Sequence, residues 1–153
     1  MTTTPETIET YLLTTYQHLN PINSWGERSY FVNPDLKLKR GTYFATVKSK
    51  DGENDRASNL DREGVYRLNI SLTPEKFNNI FGIKFSRPPK GGIIIGNYDF
   101  QKLNTFMPHP VYGWMNWIVI NNPNLYNWQK CQEYLEIGYQ KALQTSLKKL
   151  NSN

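Results

Sequence analysis

Apolar positions in this chain recur every three or four residues in some segments and every second residue in others, and the two spacings divide it into elements. Thr4-Pro5-Glu6 reads as an N-cap, a first-turn proline and a first-turn acid, followed by Ile8, Tyr11, Leu12, Thr15, Tyr16 and Leu19 at helical spacing. This predicts a helix of about four turns that runs to His18 or Leu19 and ends before Pro21. Thr73-Pro74-Glu75 repeats the cap and opens a short helix carrying Phe77, Ile80 and Phe81, closed by Gly82. Asn124 caps a long last helix on which Trp128, Cys131, Leu135, Gly138 and Ala142 form one stripe.

Strand character falls in residues 25–33, 41–50, 65–72 and 114–121, rich in β-branched and aromatic side chains. In the third of these, alternation puts Tyr66, Leu68 and Ile70 on one face and Val65, Arg67 and Asn69 on the other, so the apolar face is expected to meet helices. Residues 50–59 are the most polar and read as a mobile loop. Residues 92–96 read as a small strand or a buried crossing, and residues 99–106 as a turn or two of helix. The order of elements, with few helical crossovers, predicts an α+β fold. The expected form is a two-layer sandwich, an antiparallel sheet of four to five strands with the N- and C-terminal helices packed on one face, in a single domain over residues 1–153.

Composition adds to this picture in three places. Aromatics are 14% of the 153 residues, with ten Tyr and four Trp, so large amphipathic rings must supply much of the core boundary. A formal charge of +5 and a pI near 9.3 favour contact with anions, yet the basic residues are dispersed. Lys37, Lys39 and Arg40, then Lys84, Arg87 and Lys90, then Lys141, Lys148 and Lys149 each read as solvated loop or helix end. A lone Cys131 on the apolar stripe offers neither an internal disulfide nor a zinc pair and is expected to be inert. The opening segment has no basic n-region, and no apolar run approaches the ~18 residues that span a bilayer. The expectation is a cytoplasmic protein, monomer or weak dimer, with no membrane partner, no metal and no cofactor.

Candidate chemistry concentrates in residues 58–70 (SNLDREGVYRLNI) and 107–117 (MPHPVYGWMNW). Asp61 and Arg62 lie just before the strand that carries Arg67 and Asn69. Arginine's planar fork suits a phosphate or carboxylate, and an internal Asp–Arg pair is the structural alternative. Histidine as a residue type titrates near neutral pH, and His109 is held stiffly between Pro108 and Pro110, so it is a candidate base or ligand, or else a residue that closes the sheet edge. Tyr112, Trp114 and Trp117 offer stacking faces, with Tyr112 and Trp114 expected to be the exposed ones. Glycine-rich phosphate loops, HExxH, CxxC and GxSxG are absent from the sequence.

Those two segments, with the TPEKFNNIFG helix between them and the strand and Asn-Pro turn after them, resemble a family of uncharacterised bacterial proteins marked by SNLDRPGVYRLNI-like and MPHPVYGW stretches. The resemblance runs from about residue 25 to residue 142. More distantly, the layout resembles the MmcQ/YjbR-like proteins, related in fold to CyaY and frataxin, which implies a two-layer α+β sandwich and suggests DNA binding. Frataxin-like iron binding uses an acidic first helix, and the first helix here has only Glu6 and Glu9. The resemblance implies no reaction and transfers no catalytic residue.

Three function classes follow. The leading one is a non-enzymatic binding domain for an anionic or planar small ligand or a protein partner, using Asp61, Arg62, Arg67, Asn69, His109, Tyr112 and Trp114. The second is a small enzyme acting on an anionic substrate, with His109 as general base and the arginines as an electrostatic clamp. The third is nucleic-acid binding, which lacks a basic recognition helix. If the Arg67 strand neighbours the strand near Trp114, the loops holding Asp61-Arg62 and His109-Pro110 are expected to meet in one cleft with a cationic floor and an aromatic wall.

Overall fold

Each predicted cap forms. Thr4 Oγ1 accepts from the Thr7 amide (3.1 Å), Thr73 Oγ1 from the Lys76 amide (3.2 Å) and Asn124 Oδ1 from the Asn127 amide (2.8 Å). Gly82 ends its helix in the left-handed region, φ +68°, which glycine adopts without steric cost. A computed structural model describes residues 3–152; Met1, Thr2 and Asn153 lie outside it. The helices are α1 (Pro5–Thr15), α2 (Pro74–Phe81) and α3 (Leu125–Asn151). The strands are β1 (Leu19–Ser24), β2 (Glu27–Val32), β3 (Thr42–Lys48), β4 (Arg67–Ser71), β5 (Met107–Pro108) and β6 (Trp117–Asn121). They form one antiparallel sheet in the order β1-β2-β3-β4-β6-β5, so the protein is α+β with six strands where the pattern predicts four to five.

The additional strands are those that periodicity hides. β1 contains Pro21, which reads against a strand; as an edge strand it needs no amide hydrogen bond on its outer side. It also takes residues assigned to α1, which stops at Thr15 because Tyr16 is extended and His18 turns at φ +69°. β5 is two residues long, too short to show alternation. β6 begins at Trp117 because a 3-10 turn over Gly113–Met115 precedes it. Residues 92–96 form no strand, although Ile94 is buried between the exposed Ile93 and Ile95, and residues 99–106 form no helix.

Alternation assigns the two faces as expected. Leu68 and Ile70 of β4, Ile118 and Ile120 of β6, and Ala45 and Val47 of β3 share the face covered by α3 and α1, with Ile8, Leu12, Cys131 and Leu135 buried against it. Tyr16 stacks on Tyr139 at 4.4 Å and Tyr11 meets Trp128 edge-on at 5.3 Å, joining the two helices. The opposite face carries Glu27, Phe31, Tyr43, Thr46, Lys48, Arg67, Asn69 and Trp117. Among the described residues no helix is long and apolar enough to cross a membrane.

Residues 50–59 are tied down, contrary to the mobile loop their polarity suggests. Gly52 and Asp55 exchange backbone hydrogen bonds, Asp51 Oδ1 accepts from the Leu60 amide (2.8 Å), and Ser58 is fully buried. Asp55 and Ser58 point inward to the second face of the sheet, while Lys50, Glu53, Asn54 and Arg56 stay exposed.

Candidate functional site

Arg67 lies at the centre of that second face and is 0% exposed. Its Nε donates to Asn69 Oδ1 (2.7 Å) and its Nη1 to Asp55 Oδ1 (3.0 Å) and Ser58 Oγ (2.9 Å). Nη2 donates to Asp55 Oδ2 (2.5 Å) and lies 3.2 Å from His109 Nε2. A fork-to-fork pair of this kind is the strongest geometry an arginine and a carboxylate adopt. Burial alone would raise the Asp55 carboxyl, but the hydrogen bonds and charge of Arg67 outweigh it and hold Asp55 below the usual carboxylate value.

His109 is oriented by its own loop. Its Nδ1 accepts from the amides of Val111 and Tyr112, both at 3.0 Å. Nε2 meets the donor Nη2 of Arg67 at 3.2 Å, with Asp55 Oδ2 3.9 Å away, so donor groups face both ring nitrogens. Burial first, then the Arg67 charge, push its pKa well below 6.5. A general base needs a free lone pair directed at substrate; Nδ1 of His109 is engaged by backbone amides and Nε2 faces the buried Arg67 guanidinium.

The pH dependence of stability follows. As pH falls through about 6.5 the unfolded chain takes up a proton at His109, while the folded protein, with its depressed pKa, does not. The contribution of this residue is complete above pH 6.5 and is lost below it, at up to about 1.4 kcal/mol per pH unit. Asp55, also depressed, adds a further loss below 3.8. The urea midpoint is therefore expected to be lower at about pH 5.5 than at about pH 7.5, with His109→Gln less sensitive over that interval. Equal midpoints for the native protein would show that the folded state accepts the proton.

Beside this network the second face opens into a cleft of about 410 Å³. Its floor includes Glu27, Thr46, Lys48, Asp55, Asn69 and His109. Phe31, Tyr43 and Trp117 form an aromatic row along one wall, with centroid separations of 5.2 and 5.3 Å, and Tyr112 stands beside His109 at 5.0 Å. Burial, then the neighbouring Tyr112 and Glu27, raise the Tyr43 phenol above its ordinary value. Trp25 marks the mouth, 94% exposed, at φ +52° in the two-residue turn joining β1 and β2. A bulky residue in that region of backbone space is uncommon.

Four of the residues singled out from sequence, Arg67, Asn69, His109 and Tyr112, come together here, because β4 pairs with β6 and β6 with β5. Three do not. Arg62 donates to the carbonyls of Asn59 (2.8 Å), Ser58 (3.0 Å) and Gln101 (2.9 Å), stapling two connections together. Asp61 accepts from the Asp51 amide (3.1 Å), and Asp61 and Arg62 line a separate groove with Lys50 and Tyr66. Trp114 packs against the core under the Arg87 guanidinium, 5.0 Å away. The expected cationic floor is also absent, since Arg67 is matched by Asp55 and Lys48 has Glu27 beside it.

Sequence reasoning missed Glu27, Thr46, Lys48, Asp55 and Tyr43. Alternation in β3 carried a usable signal, because Thr46 and Lys48 share the face opposite Ala45 and Val47. Asp55 carried none, being one acid in a polar loop. Among the described residues no group of three or more His, Cys, Asp or Glu is placed to hold a metal ion.

The fold and this cleft define an α+β protein whose single sheet is covered by helices on one face and bears a buried ionic network with an aromatic-walled pocket on the other. The chain belongs to a family of unknown function, DUF6194, whose model matches residues 2–151. Comparison with curated proteins and with solved structures finds no match.

Proposed function

We propose that the protein is a non-enzymatic binding protein that holds a planar small molecule in the cleft on the second face of its sheet. The observation that carries this reading is the aromatic row Phe31-Tyr43-Trp117 running directly into a polar floor, the combination of apolar surface and few fixed polar groups typical of ligand pockets. A catalytic role for His109 fits less well, because its Nδ1 serves the Val111 and Tyr112 amides. Anion capture by arginine fits less well too, because Arg67 is engaged by Asp55, Ser58 and Asn69.

The test is an amide-resolved NMR titration with indole as a neutral planar probe, indole-3-carboxylate as an anionic one, and a short DNA duplex. Both indoles are expected to shift the amides of Tyr43, Tyr112 and Trp117, and Tyr43→Ala to weaken them about tenfold, since a stacked ring is worth ~1–3 kcal/mol. Shifts confined to the Asp61–Arg62 groove, or to the duplex titration with a steep salt dependence, would replace this reading.

A further inference from the structure

Within the cleft, and resting on the binding reading above, we infer that Glu27 and Lys48 select a cyclic lactam, a ring N–H adjacent to a ring carbonyl, as in hypoxanthine, guanine and pterins. The two residues face each other across β2 and β3. Lys48 Nζ lies 3.8 Å from Glu27 Oε1, so the charged groups stand side by side without a hydrogen bond between them. Lys48 is only 5% exposed and lines the cleft, and its Nζ makes no hydrogen bond among the described residues. An ammonium with three donors and no protein acceptor is open to an acceptor that enters the cleft.

Glu27 is held as an acceptor. Its Oε2 accepts from Thr46 Oγ1 (2.7 Å) and from Asn69 Nδ2 (3.4 Å). Asn69 cannot turn its amide round, because its Oδ1 already accepts from Arg67 Nε. That fixes Nδ2 toward Thr46, at 2.7 Å, and toward Glu27. Glu27 Oε1 has no hydrogen-bond donor among the described residues. The floor therefore presents an acceptor and a donor next to each other, at the foot of the aromatic row.

A lactam edge is the complement of this pair. Its N–H donates to Glu27 Oε1 while its carbonyl accepts from Lys48 Nζ, the same pairing by which lysine reads the O6 of guanine. The ring plane then lies against Tyr43, which is half-exposed and flanked by Phe31 and Trp117. The near-balanced charge of Glu27 and Lys48 suits a neutral ring better than a free anion, because a bound carboxylate would be set beside Glu27. Adenine-type edges, with a ring acceptor and no ring N–H, leave Glu27 facing a lone pair.

The experiment is calorimetric or NMR titration with inosine, guanosine, pterin, adenosine and 1-methylinosine, with indole as the reference planar probe. Inosine is expected to bind at least about tenfold more tightly than adenosine and 1-methylinosine, which lack the ring N–H. Guanosine and pterin separate a purine lactam from a pteridine one. Glu27→Gln is expected to abolish the preference for inosine over 1-methylinosine, whereas Lys48→Met, close to isosteric, is expected to weaken inosine and 1-methylinosine alike because both keep the ring carbonyl; each leaves indole bound. If indole binds at Tyr43 and inosine shows no preference over 1-methylinosine, or the preference survives Glu27→Gln, or Lys48→Met leaves inosine affinity unchanged, the lactam inference is overturned and the planar-ligand reading stands. If neither indole nor any lactam binds, both fall.

Discussion

Arg67→Met is expected to remove a large share of the stability of the protein. The side chain is fully buried and donates two hydrogen bonds to the Asp55 carboxylate, which is 16% exposed. Removing one partner of a buried pair leaves the other charge uncompensated, at about 3–5 kcal/mol, against a total of roughly 5–15 kcal/mol for a domain. The same substitution deprives Ser58 of its donor and frees the Asn69 amide. Urea denaturation followed by circular dichroism measures the loss. Adding Asp55→Asn to Arg67→Met should restore part of it, because the stranded charge is gone, and the double-mutant cycle isolates the coupling. A single-variant cost below about 1 kcal/mol would mean that water reaches the pair and that it behaves as a surface ion pair.

That network also marks where the sequence stops being readable. Helices announce themselves locally: Thr4, Thr73 and Asn124 cap because their side-chain oxygens reach amides three residues on, a relation contained in the sequence. Strands with one helix-facing side announce themselves too, and the split of Leu68 and Ile70 from Arg67 and Asn69 survives intact. Burial on both faces weakens the signal, since β4 and β6 are buried at every residue and polar groups on the second face are as inaccessible as the apolar ones opposite. Asp55 finds Arg67 from twelve residues away through a loop whose composition signals solvent, and Glu27 reaches Asn69 across the intervening strand. The motif residues misled for a related reason. Arg62 sits one residue from Asp61 in a conspicuous segment, yet its guanidinium serves backbone carbonyls, a role indistinguishable in sequence from ligand binding. Trp114 and Tyr112 lie two residues apart in what reads as an extended stretch, but the 3-10 turn at Gly113–Met115 breaks the alternation and sends only Tyr112 to the cleft.

Leu135→Ala is expected to destabilise the protein by roughly 2–5 kcal/mol, the range for a fully buried leucine whose site does not collapse. Leu135 is 0% exposed and sits in the middle of the α3 stripe, one turn before Gly138. Collapse of α3 onto the sheet is limited at Gly138, where an added Cβ would lie only 2.6 Å from the Ser71 carbonyl oxygen, so helix and strand are already in backbone contact. With the approach distance set there, the cavity left by the leucine side chain cannot close by moving the helix inward, which argues for the upper part of the range. The effect should appear as a lower urea midpoint with an unchanged slope. The cleft lies on the opposite face of the sheet, so indole binding measured well below the unfolding transition should be unaltered, as for sites with no shared partners. A midpoint equal to that of the native protein would remove Leu135 from the core, and lost binding in a still-folded variant would show that the α3 face and the cleft are coupled through the sheet.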